Sequence, residues 1–468
     1  FTNGMIYEAL NQMAVRRLRL IVILNDNEMS ISKNVGGLSD YLSYIRTSES
    51  YFNFKTVLKH ILEKVPLVGD GMVAFARRFK DFFKRLTNSE TWFESFGLEY
   101  IGPVNGNDIK RLTAVLEEAK QKNGPVIVHM KTKKGFGYAP AEKYPERYHS
   151  TSPFELDDTK NILCRSPERT YTDAFSDIIC RKAGEDERIC AITAAMSKGC
   201  GLDMFRDMFP DRFFDVGIAE EHAVTMSAGL SLGKMKPVVV IYSTFAQRVF
   251  DQLWHDVSLQ HIPLTLMLSH TGIVPGDGVT HQGVFDYALF SALPNVNIFD
   301  AYDERTMEDE IDLSLASDKL TIIRYPKDNV KRDVCAEFPP NENCKDYTMW
   351  DIGERAGKTI VTSGRLTTRI LSLIQSSGVS GIRLIGLKKV YPIPDGAVEL
   401  MGEDIILIEE NSQSGGIGEK LAAELKLRGM KNELKIKAVD DTEIPHGTLA
   451  ELYSLTGFDD DSLLNLIK

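Results

Sequence analysis

Two periodicities alternate along this chain, a helical one near 3.6 residues and short unbroken apolar runs, and their alternation predicts an α/β protein with mostly parallel sheets. Apolar residues at positions 5, 6, 9, 10 and 13 form one helical face, which runs into LRLIVIL at 18–24, a buried strand. A helix feeding a parallel strand implies a strand before it. Asp108 to Lys120 reads as a second helix, with Pro125 to His129 as the strand that follows. Between residues 152 and 169 the periodicity lapses among Pro153, Pro167 and mixed charges, which predicts a linker. A second α/β segment then shows strands starting at Cys190, Phe213, Pro237, Leu264, Asn297 and Thr321. Another linker is expected over 331–350, and four more strands, starting at Thr359, Ile382, Asp404 and Leu434, predict a smaller third domain. Gly415 to Gly418 lacks the full spacing of a dinucleotide turn and reads as a helix start.

The polar interruptions fall where such sheets place their chemistry, at the carboxyl ends of strands. Asn25 to Ser30 follows the first strand, and the basic, glycine-rich loop TKKGFGYAPAEKYPERYHS follows the next, too long for a tight turn. In the middle segment, FFDVGIAEEHAV reads as a strand, a glycine corner and a helix that opens on Glu220 and Glu221, where unpaired N–H groups and the helix dipole favour a carboxylate. Tyr242 to Phe245 ends the next strand before a helix bearing Arg248. Ser269 and His270 end another, before a loop with Asp277 and His281. Single residues of this kind carry little weight; several titratable groups delivered to one rim mark a candidate active site.

Composition narrows the class. With 468 residues the chain exceeds one core, and no apolar run approaches the ~20 residues of a membrane span. The formal charge of -11 argues against nucleic acid as the main partner. Six cysteines without metal-ligand spacing fit reduced thiols in a cytoplasmic protein. Residues 52–86 form a basic amphipathic insertion, read as helices with a solvated basic face, the alternative being a membrane surface.

The segments LNDNEMSIS, YIGPVNG, TKKGFGYAPAEK, DVGIAEEHAV, IYSTFAQR, PGDGVTHQGVFD and IIRYP, in that order, resemble 1-deoxy-D-xylulose-5-phosphate synthase, of the transketolase superfamily. The resemblance implies a thiamine diphosphate- and magnesium-dependent enzyme, generally a homodimer. It joins pyruvate to D-glyceraldehyde 3-phosphate with loss of carbon dioxide, for isoprenoid, thiamine and pyridoxal precursors. It implies a diphosphate- and magnesium-binding domain over 1–151, a pyrimidine-binding domain over 170–330 and a C-terminal domain over 351–468. Glu220 would hydrogen-bond the cofactor's aminopyrimidine, Asn27 and the Met29 carbonyl would bind magnesium, and Tyr138 and Phe245 would contact the cofactor. Tyr242, Arg248, Asp277, His281 and His149 would surround the reacting carbonyls, and Arg324 with His270 would hold the acceptor's phosphate.

Three departures from the family pattern stand out. The aspartate of a GDG motif, expected immediately before Phe1 as the first metal ligand, is absent, as are earlier cofactor-contacting histidines, so the chain reads as part of a longer protein. Glu221 stands where the family usually has glutamine, and His270 where arginine is common. The alternatives are a transketolase or pyruvate dehydrogenase component, against which TKKGFGYAPAEK and GDGVTHQGVFD argue, and a non-catalytic, partner-dependent subunit.

Overall fold

The computed structural model describes residues 3–29, 36–47, 91–146, 148–149, 168–353, 357–440 and 443–468, so the basic insertion at 52–86 and nearly all of the 152–169 linker lie outside the described residues. The chain divides into two compact units, Phe1–Leu163 and Cys164–Lys468. As the periodicity predicts, both are α/β with mostly parallel sheets.

The first unit carries β1 (Ile21–Asp26), β2 (Glu99–Asn105) and β3 (Val126–Lys131) as a parallel sheet in the order β1-β3-β2. The helix Met5–Arg16 buries Leu10 and Met13 in one apolar cluster with Leu24, Phe93, Leu98 and Ile127. Asp108 caps the helix Ile109–Lys120 by accepting from the Arg111 N–H, satisfying one of the donors that a helix start leaves orphaned. β2 was legible only as the motif YIGPVNG; its irregular pairing around Gly102 and Pro103 hides the strand period.

In the second unit a seven-stranded sheet takes the order β14-β8-β9-β7-β6-β4-β5. Its strands are β4 (Ile189–Thr193), β5 (Phe213–Asp215), β6 (Lys236–Tyr242), β7 (Leu264–Ser269), β8 (Val296–Asp300) and β9 (Leu320–Tyr325), with β14 (Lys389–Tyr391) as an antiparallel edge. Its central strands are buried on both faces, which is why they read as unbroken apolar runs. A second sheet, of six strands, runs β10-β11-β13-β12-β15-β16. It comprises β10 (Glu342–Asn343), β11 (Tyr347–Ile352), β12 (Lys358–Ser363), β13 (Ile382–Leu387), β15 (Asp404–Ser412) and β16 (Glu433–Val439).

The expected linker over 331–350 is structured: it holds the short helix Val334–Glu337, β10 and most of β11. Its charged composition conceals an antiparallel strand whose Tyr347, Met349 and Trp350 are buried. Gly416 does open a helix, Ile417–Leu427, and the Glu409 carboxylate already accepts from the Ile417 and Gly418 N–H groups at 2.8 Å each.

Candidate active site

In the second unit the candidate groups gather on the carboxyl rim of the seven-stranded sheet. β5 ends at Asp215, whose Oδ1 accepts from the N–H of Ala195, just past β4, at 2.8 Å and from that of Gly217 at 3.0 Å. Gly217 turns the chain with φ of 72°, and the helix Glu220–Leu232 begins three residues later. Its apolar company buries Glu220. That burial raises the carboxyl pKa above its ordinary value, the Arg248 charge opposing and the neighbouring Glu221 charge adding to the rise. Arg248 lies between the two acids: Nη1 donates to Glu220, while Nη2 is shared by both Glu221 oxygens at 2.9 and 3.0 Å.

Tyr242, at the end of β6, is sandwiched between two rings. His270 stacks on it at 3.8 Å between centroids, and Phe245 lies parallel to it at 5.7 Å. His281 meets the edge of Phe245 at 5.5 Å. The loop carrying Asp277 and His281 is fastened at its base by Gln282, whose amide accepts from the Val274 N–H at 2.8 Å and donates to the Val274 carbonyl at 3.0 Å. Gly283 is required there, because a Cβ at that position would stand 2.1 Å from the His270 carbonyl oxygen. Thus Glu220, Arg248, Tyr242, Phe245, His270, Asp277 and His281 all belong to this unit and to neighbouring strand ends of one sheet.

Arg324 and His270, expected to hold the acceptor's phosphate, are both buried in this structure. Arg324 is buried inside β9 and four of its five N–H donors are engaged: Nε and Nη2 reach Asp286 at 2.9 and 3.1 Å, Nη1 reaches Asp300 at 2.8 Å, and Nη2 reaches Asn411 at 2.7 Å. His270 is also buried, with its Nδ1 2.7 Å from the Ser269 hydroxyl, and burial, aided by the Lys327 charge, pushes its pKa down to about 3. It is neutral across working pH and does not replace the charge of an arginine.

A second cation at this rim besides Arg248 is Lys327, which sequence reasoning missed. It stands two residues beyond β9 and donates to Asp277 at 2.6 Å with its side chain 39% exposed. The available signal was positional: Arg324 lies within the strand, whereas a residue just past the strand end faces the rim. The pairing of Glu221 with Arg248 was likewise invisible, since it joins residues 27 apart.

The remaining candidates belong to the first unit. Asn27 Oδ1 accepts from the Met29 N–H at 3.0 Å, which folds the NDNE loop back on itself. Tyr138 is half-buried and meets Tyr148 edge-on at 5.6 Å. His149 is exposed, and partial desolvation with the Lys134 charge pulls its pKa below the ordinary value.

Comparison with known proteins decides the family. A 1-deoxy-D-xylulose-5-phosphate synthase family model matches residues 1–132, and a transketolase pyrimidine-binding domain model matches 168–332. The 1-deoxy-D-xylulose-5-phosphate synthase of Natranaerobius thermophilus is 38% identical over all of this chain and 74% of its own length. That of Shouchella clausii is 39% identical over 97% of this chain and 73% of its own. The chain belongs to the 1-deoxy-D-xylulose-5-phosphate synthase family. It is a transferase of transketolase type, and the transketolase of Campylobacter jejuni shares its fold at a TM-score of 0.55, with 15% identity over 99% of this chain and 75% of that one. A split-gene transketolase described as an inactive beta4 tetramer aligns at a TM-score of 0.54, with 21% identity over 64% of this chain and 97% of that one.

The synthase family implies thiamine diphosphate, and the residues present fit it. A buried carboxyl whose pKa is raised is suited to share a proton with a ring nitrogen, and Phe245, parallel to Tyr242, offers an aromatic surface in the same unit. The Asn27 amide oxygen and the Met29 carbonyl are hard neutral donors of the kind magnesium takes; an amide oxygen that accepts one N–H keeps a second lone pair free.

Proposed function

We propose that this chain carries out the thiamine diphosphate- and magnesium-dependent condensation of pyruvate with D-glyceraldehyde 3-phosphate, giving 1-deoxy-D-xylulose 5-phosphate and carbon dioxide for isoprenoid, thiamine and pyridoxal precursors. The observation that carries the reading is Glu220, a buried carboxyl of raised pKa at a helix start on the ligand-binding rim of a parallel sheet. When bound, the cofactor supplies the electron sink that breaking the carboxylate bond of a 2-keto acid requires.

The chain's own residues then divide the work. Glu220 holds a proton toward the cofactor's pyrimidine, and Phe245 packs beside it. Asn27 and Met29 hold magnesium, and Tyr138 contacts the cofactor. Tyr242, Asp277, His281, Arg248 and His149 donate to or accept from the substrate oxygens, while the stacked His270 keeps Tyr242 upright. The acceptor's phosphate is assigned to Lys327, whose ammonium is half-exposed where the Arg324 guanidinium is enclosed. Residues 1–151 form the diphosphate- and magnesium-binding domain, 170–330 the pyrimidine-binding domain and 351–468 the C-terminal domain, assembled as a homodimer. Among the described residues no helix is long and apolar enough to cross a membrane.

The test is product formation from pyruvate and D-glyceraldehyde 3-phosphate, followed by mass spectrometry, in wild type and Glu220→Ala. Loss of a group placed for proton transfer lowers kcat by ~10²- to 10⁴-fold, and exchange of the cofactor's C2 proton with deuterium slows in step. Exchange at the wild-type rate in the variant would remove Glu220 from its assigned role.

A further inference from the structure

A buried polar chain crosses the first unit's sheet and serves none of the roles assigned so far. Successive strand residues face opposite sides, so Asp26 shares a face with Leu24, His129 with Ile127, and Tyr100 with Leu98. That face is packed with Leu10, Phe93 and Ile127. In the order β1-β3-β2 the central strand supplies His129. Leu24 stands opposite His129, and Tyr100 opposite Ile127, so Asp26 and Tyr100 reach the imidazole diagonally from either side.

The contacts are close and dry. The Tyr100 hydroxyl is 2.6 Å from His129 Nδ1, and His129 Nε2 is 3.1 Å from Asp26 Oδ2. His129 is 0% exposed and the other two 6% each, so water cannot substitute for any partner. Facing an ionised carboxylate, Nε2 is the donor of that contact. Apolar side chains of similar volume would fill this space without the desolvation cost, so packing alone gives no reason for the chain.

Its Asp26 end gives one. Asp26 Oδ1 accepts from the Glu28 N–H at 3.0 Å, and Glu28 is held at φ of 62°, a left-handed conformation that a glutamate adopts only under constraint. Asn27 and Met29 flank that residue on either side. We propose that Tyr100, His129 and Asp26 are positioning residues for the two metal donors: the chain pins the Glu28 N–H and so fixes the turn that presents Asn27 Oδ1 and the Met29 carbonyl to a divalent cation carrying a diphosphate. This rests on the metal-binding reading of Asn27 and Met29 above.

The experiment titrates Mn²⁺ into the whole enzyme with thiamine diphosphate present, counting free Mn²⁺ by electron paramagnetic resonance well below the melting midpoint. Wild type is compared with Tyr100→Phe, which keeps the ring, with Asp26→Asn and with Asn27→Ala. Tyr100→Phe and Asp26→Asn should each weaken Mn²⁺ binding by ~10- to 100-fold, as loss of an outer partner of a metal ligand does. Excess metal should then restore kcat, so that the metal constant moves and the turnover number does not. Affinity within twofold of wild type in both variants, with Asn27→Ala impaired, would overturn the positioning role alone. Equal binding by wild type and Asn27→Ala, or none by wild type, would overturn the metal reading and this inference with it.

Discussion

Replacing Arg324 by glutamine separates a structural cation from a substrate-binding one. In the native protein Arg324 is 2% exposed and neutralises Asp286 and Asp300, while Ser363 donates to Asp300 at 2.8 Å and Asn411 joins from β15. The network thereby ties β8 and β9 of one sheet to β12 and β15 of the other. Even with the arginine present, burial raises the Asp300 pKa to about 6, the Arg324 charge being the first opposing influence. A carboxyl raised from an ordinary value of ~3.9 lowers native stability as pH climbs from the unfolded value to the folded one, here by about 3 kcal/mol in all. Without Arg324 two buried carboxylates lose their counter-charge, and breaking a buried pair from one side costs ~3–5 kcal/mol. The deficit should grow with pH, since protonation relieves it. Urea denaturation of wild type and Arg324→Gln at pH 5, 6, 7 and 8 measures it, and the folded fraction should keep its KM for D-glyceraldehyde 3-phosphate. Lys327→Ala should do the reverse, raising that KM by about tenfold, roughly 1.4 kcal/mol, with stability nearly unchanged. A stable Arg324→Gln enzyme with a raised acceptor KM would refute the assignment and return the guanidinium to the phosphate.

Since burial holds His270 neutral down to about pH 3, the acceptor KM should show no histidine titration between pH 6 and 8, and His270→Arg should destabilise the stacked Tyr242 rather than tighten binding, both read from steady-state kinetics and thermal melts. Glu221→Gln removes a repelling charge beside Glu220 and leaves Arg248 to Glu220 alone, so the Glu220 pKa falls and the matching limb of the kcat/KM profile moves to lower pH; an unmoved limb would mean that Arg248 does not couple the two acids. Gly283→Ala forces a Cβ against the His270 carbonyl and should cost ~1–3 kcal/mol, with the 271–283 loop becoming sensitive to limited proteolysis before the sheet unfolds.

Much of the architecture was legible because it is local. Strands buried on both faces write themselves as apolar runs, so β3, β4, β6 to β9, β12, β13 and β15 were placed within a few residues, as were the more exposed β1, β5 and β16, and the glycine corner before Glu220 marked a helix start. β2 and β11 escaped because an irregular pairing and a charged composition mask their period. In the second unit the candidate groups were legible as a set of strand ends, since the parallel strands of its seven-stranded sheet send them to one rim. What the rim residues do to one another was decided by the tertiary fold. Whether an arginine serves a ligand or two buried aspartates depends on which side chains fold over it, and Asp286 and Asn411 lie 38 and 87 residues from Arg324. Whether a histidine carries charge depends on how much water the fold leaves it, so residue type alone predicted a titrating group at 270 where burial leaves a neutral ring. Asp26 read as part of a polar loop, Tyr100 as part of a motif and His129 as the end of a strand until the strand order set them side by side, because a hydrogen bond needs about 3 Å and only packing brings Asp26 and His129, which are 103 apart along the chain, to that distance.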